Sequence, residues 1–91
     1  MNKQRRKAVL EIIGKINNLY ADVDDIKSLI ANIKSEQDEA VSNVPDNLQN
    51  TERFEAMQNA LECLEEAENE IDYALEHLSS TTDVLQEAID D

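Results

Sequence analysis

The chain has 91 residues, with 21 Asp and Glu against 8 Lys and Arg, giving a net charge of −13 at pH 7. It is 41% hydrophobic but only 3% aromatic, with one Gly, one Pro, one Cys and one His. A lone Cys cannot close an internal disulfide, and so few Gly and Pro argue against a β-rich fold, which needs frequent turns.

From residue 5 to residue 43 apolar side chains recur at alternating spacings of three and four. One column is Val9, Ile16, Val23, Ile30, Gln37 and Val44, and the other is Ile12, Leu19, Ile26, Ile33 and Ala40. Read as heptad positions a and d, these columns predict a helix over 5–43. The stretch from Ser42 to Asn47 interrupts the pattern. Pro45 disfavours helix just before it and the Asn/Asp cluster supplies turn chemistry, so 44–51 is expected to be a loop. Thr51 is placed to cap a second helix, with Glu52 and Glu55 in its first turn.

Phe54, Leu61, Glu68, Leu75, Thr82 and Ile89 then fall at a, and Met57, Leu64, Ile71, Leu78 and Leu85 at d, predicting a helix over 52–90. Ser79, Ser80, Thr81 and Thr82 form a soft spot of low helix propensity. The heptad stays in phase through 79–82, so a continuous helix is expected.

Each helix would run about 58 Å at 1.5 Å per residue. Equal lengths and a short connection predict an all-α fold, a coiled-coil-like antiparallel helical hairpin forming a single domain over 1–91. Charge favours the same geometry. Residues 1–44 hold seven basic and seven acidic side chains, whereas 45–91 hold one and fourteen. Lys3, Arg5, Arg6 and Lys7 would lie beside Glu87, Asp90 and Asp91, compensating basic residues at a helix N-terminus. Glu68, a carboxylate at an a position, is expected to pair with Lys27, and such a polar core position can fix register. Gln37 and Thr82 are placed to act similarly.

Further apolar residues lie beside the seam. Ile13, Tyr20 and Val41 occupy e positions and Leu29 a g position of the first helix. Ala60, Ala67, Ala74 and Ala88 occupy g positions of the second, interrupted by Thr81. Three apolar positions per heptad suit a helix with two neighbours. A homodimer of hairpins forming a four-helix bundle is therefore expected, with these eight residues as its interface.

Catalysis is not expected, nor a metal or cofactor. His77 falls at an outer c position, and Ala74 stands where a carboxylate–histidine metal motif would need Glu. Cys63, also at c, has no positive neighbour in its own helix to activate the thiol. No Gly-rich phosphate loop is present. Apolar runs of two or three residues cannot span a membrane, and no signal-peptide core follows the basic N-terminus. A cytoplasmic location is expected.

The leading expectation is a non-enzymatic helical protein–protein interaction module. Direct nucleic-acid binding is disfavoured, because phosphate contacts need Lys and Arg. An alternative uses the acidic residues of the second helix. Glu55, Glu62, Glu76 and Asp83 share a b column, with Glu66 and Glu87 alongside at f. A rod of spaced carboxylates can imitate a phosphate backbone and occupy the basic groove of a nucleic-acid-binding host protein.

The opening Met1 to Lys7, the central Asn43 to Gln49, and Thr51-Glu52-Arg53 before the Glu/Ala-rich helix together give the chain a likeness. It resembles small uncharacterised acidic helical proteins of Gram-positive bacteria and their phages. The resemblance implies an accessory gene product that acts by binding a host protein, and it supplies no substrate, cofactor or functional residue.

Overall fold

A computed structural model describes residues 1–90. Helix α1 spans Lys3–Ser42 and helix α2 spans Glu52–Ile89, with a single 3-10 turn at Asp46–Leu48 between them. Among the described residues there is no strand.

Each helix begins on a side-chain cap. Asn2 Oδ1 accepts the Arg5 N–H at 2.9 Å, which carries the start of α1 two residues ahead of the expected one. Thr51 caps α2, its Oγ1 accepting the Phe54 N–H at 3.1 Å and donating to the Leu48 carbonyl at 2.9 Å. One hydroxyl thus satisfies an orphan helix donor and ties the turn to the helix it precedes. Pro45 is extended at φ −60° and ψ 149° and opens the 3-10 turn, closed by the Leu48 N–H on the Pro45 carbonyl at 2.9 Å.

Helix α2 continues through the soft spot at 79–82. The hydroxyls of Thr81 and Thr82 donate to the carbonyls of His77 and Leu78 at 2.7 and 2.9 Å. Bonding back to the fourth residue before satisfies these hydroxyls inside the helix instead of pulling it into a turn.

The helices pack antiparallel, as the charge distribution requires. Arg6 Nη1 donates to the Ile89 carbonyl at 2.8 Å at one end, and Gln37 Nε2 donates to the Met57 carbonyl at 2.9 Å towards the other. A guanidinium at the C-terminal end of α2 meets the partial negative charge of its unsatisfied carbonyls. Asp91, expected beside the same basic cluster, lies outside the described residues.

The result is a rod of 70 × 15 × 14 Å with a Cα radius of gyration of 20.4 Å, against about 12 Å for a compact chain of this length. Its core is thin. Ile13, Phe54, Leu75 and Ile89 are buried, and among the described residues no side chain is fully enclosed. The accessible surface is 6912 Å², where a compact monomer of this mass would expose about 5,400 Å².

Leu75→Ala should lower the unfolding free energy by about 2–3 kcal/mol. Val84→Ala, at a site 63% exposed, should change it by less than about 0.5 kcal/mol. Thr51→Ala should remove about 1 kcal/mol through loss of the cap. Urea unfolding followed by far-ultraviolet circular dichroism measures all three.

Candidate interaction site

Along α2 the expected a/d seam is the one that packs. Phe54, Leu75 and Ile89 are buried, and Met57, Leu61, Leu64, Ile71, Leu78 and Leu85 are half-buried. Helix α1 is rotated relative to expectation. Its a residues Val9, Ile16, Val23 and Ile30 are half-buried, but Ile13, Lys27, Lys34 and Val41 of the e column line the seam with them. The d residues Ile12, Leu19, Ile26 and Ile33 stay between 46% and 54% exposed.

The rotation has a physical reason. Columns d and e flank a, three and four residues further on, so either completes an alternation of threes and fours. The e column brings Lys27 and Lys34 to the carboxylates of α2, their aliphatic stems lying along the seam while the ammonium groups reach its edge.

Two expectations change as a result. Ile13 and Val41, assigned to an interface with a second molecule, belong to the hairpin's own seam, and Ile13 is only 8% exposed. The direct pair of Lys27 with Glu68 is replaced by two others: Lys27 contacts Asp72, and Lys34 Nζ lies 3.5 Å from Glu68 Oε1. With both lysines turned into the seam, each takes the carboxylate at its own level. Glu68 acts on Lys27 only through space. The hydrogen bond and charge of Asp72 come first in raising the Lys27 pKa above its ordinary 10.5, with Asp24 and Glu68 adding smaller shares against a desolvation that lowers it.

The linings of three surface hollows show which columns share a side. At the loop end, a hollow of about 410 Å³ is lined by Ala40, Val44, Leu48, Arg53, Phe54 and Met57, among others. Ala40 stands seven residues beyond Ile33 in the exposed column, and Arg53 seven before Ala60 in the alanine column. The two columns therefore run down the same side of the rod, starting from this hollow. The opposite side is polar. There Asn17, Asp24 and Lys27 of α1 meet Asp72, Ser79 and Asp83 of α2 across two shallow grooves.

Each candidate residue then has a place. Ala67, Ala74 and Ala88 are half-buried and Ala60 exposed, all on the apolar side. Leu29, 62% exposed, lies beyond the isoleucine stripe towards the outer surface of α1. Tyr20 departs from expectation, because it lines the polar grooves and not the apolar side. Glu55, Glu62, Glu66, Glu76, Asp83 and Glu87 are all exposed, and among the described residues none uses its carboxylate in an ion pair. Glu76 and Asp83 border the polar grooves, so the acidic column faces away from the apolar stripe.

His77 and Cys63 are exposed, as their c positions imply. Among the described residues no helix is long and apolar enough to cross a membrane. Besides Ile13, Tyr20 and Val41, the residues that sequence reasoning placed wrongly are Ile12, Leu19, Ile26 and Ile33, expected in the seam and found about half exposed. No spacing signal separated the two flanks, because both complete the same alternation of threes and fours.

No protein-family model, curated protein or solved structure matches the chain.

Asp72→Asn should return the Lys27 titration, followed by NMR of its side chain, towards the ordinary lysine value. Because the folded pKa is raised, the pair's stabilisation should be complete below that ordinary value and lost as pH climbs through the folded one. Glu68→Gln should shift the Lys27 titration less than Asp72→Asn does.

Proposed function

We propose that the chain is a non-enzymatic helical interaction module of the cytoplasm that works as a homodimer, pairing two hairpins through their apolar sides. The observation that supports this reading best is the stripe of Ile12, Leu19, Ile26 and Ile33, each about half exposed, on the same side as the alanine column. Large aliphatic side chains repeating every seven residues along one face are the pattern of a packed helix, yet nothing in the hairpin covers them. Continuous apolar stripes of this kind on soluble proteins mark interaction sites.

Area supports the same reading. The hairpin exposes about 1,500 Å² more than a compact monomer of its mass, and a standard interface buries about 800 Å² per partner. Pairing along one side of the rod lies well within that excess. It would also thicken a core in which, among the described residues, four side chains are buried.

A second reading draws on the acidic column. Six exposed carboxylates without ion pairs, on the side away from the isoleucine stripe, suit a surface that engages a basic host protein in place of nucleic acid. The resemblance to small phage proteins favours such a target. The two readings are compatible, since the surfaces point in opposite directions.

Light scattering behind size exclusion should give a mass near twice 10.3 kDa in both low and high salt. Ile26→Asp should weaken the dimer at least about 100-fold, because a carboxylate would have to be desolvated in the interface, while helicity stays near that of the parent. A wild-type monomer at micromolar concentration defeats the homodimer. Charge reversal at Glu55, Glu62, Glu66 and Glu76 should leave the mass unchanged while abolishing capture of a basic partner.

A further inference from the structure

Two identical faces can meet about a two-fold axis in two ways. An axis along the rod stacks α1 of each copy on α2 of the other and sets both loops at one end. An axis across the rod stacks α1 on α1 and α2 on α2, with the loops at opposite ends. Taking the proposed homodimer as premise, we infer that the first arrangement is the one used: the hairpins stack in the same direction, the isoleucine stripe of each copy seated on the alanine column of the other.

Three observations select it. The first is charge. Helix α2 carries eleven acidic residues and one basic one, whereas α1 carries seven of each. Stacking α2 on α2 would hold two strongly acidic helices about 8–10 Å apart, close to the screening length of about 8 Å at physiological salt. The chosen arrangement places them on the diagonal, each against a charge-balanced neighbour.

The second is shape. Ile12, Leu19, Ile26 and Ile33 project about half exposed from α1, while the facing positions of α2 are alanines that leave room for them. Stacking stripe on stripe would crowd four large side chains against four and leave a gap between the alanine columns.

The third is level. The Arg6–Ile89 and Gln37–Met57 hydrogen bonds set the heights of the two helices, so Ile33, Ile26 and Leu19 stand close to the heights of Ala60, Ala67 and Ala74. A two-fold axis along the rod preserves height, so the same levels match between copies. The loop-end hollows beside Leu48, Phe54 and Met57 then come face to face, each closing the other.

The test uses the full chain with Cys63→Ser and one spin label per copy, on N50C in one sample and on Q4C in the other. Both positions are exposed, and they lie at opposite ends of the rod. After the mass of each labelled protein is measured, pulsed electron–electron resonance reads the label-to-label distance. Same-direction stacking should give short distances for both labels, roughly 20–40 Å, a bundle width plus the label arms. A dimer with both distances near the 70 Å rod length, or with one short and one long, overturns the arrangement and leaves the homodimer standing. A monomeric mass for the labelled and the parent protein overturns both.

Discussion

Helix α1 carries three neighbouring apolar columns, and a single partner helix can cover only two of them. Val9, Ile16, Val23 and Ile30 form the middle column and are half-buried against α2 whichever flank joins them. The flank that turns inward holds Ile13 and Val41 but also Lys27 and Lys34. The flank left outside is entirely aliphatic from Ile12 to Ile33. Most features of the molecule follow from that division: the thin core, the ion pairs at the seam edge, and a rod with one apolar side and one polar side.

The flank that turns inward brings the seam its two ion pairs, and the flank left outside carries four large aliphatic side chains about half exposed. Turning the d column inward would bury more hydrocarbon and set Lys27 and Lys34 at the margin of the seam. With the e column inward, both lysines lay their stems along the seam and set their charges at its edge, where water still reaches them. Exposed pairs of this kind contribute little to stability one by one. They tie the two helices together in one register midway along the rod. Arg6 on the Ile89 carbonyl and Gln37 on the Met57 carbonyl hold that register towards the two ends.

The sides of the rod differ in chemistry, and this is what gives the fold a use. Hydrophobic burial is strong and insensitive to salt, so an aliphatic stripe flanked by alanines suits a lasting association. An acidic face whose carboxylates make no ion pair among the described residues suits a fast, salt-sensitive encounter with a basic surface. In the proposed dimer the first side is spent on self-association while the second stays outward. The acidic columns of two copies would then be presented on opposite surfaces of one bundle.

Much of this was legible in the residues themselves. The periodicity of threes and fours announces two helices, Pro45 with its Asn/Asp neighbours announces the break, and Thr51 announces the second start. The charge of each half predicts antiparallel pairing, and the heptad held in phase predicts continuity through Ser79 to Thr82. The N-terminal cap at Asn2 was open to the same reasoning, since Asn before a run of helix formers is a strong start signal. What the sequence could not decide was which flank of the Val9 column would turn inward. Both flanks satisfy the same spacing, so periodicity is silent between them. The decision belongs to contacts between α1 and α2, where the heights of Asp72 and Glu68 relative to Lys27 and Lys34 become defined. Only tertiary packing makes that choice, and with it Ile13 enters the seam, Tyr20 goes to the polar side and the isoleucine stripe to the surface.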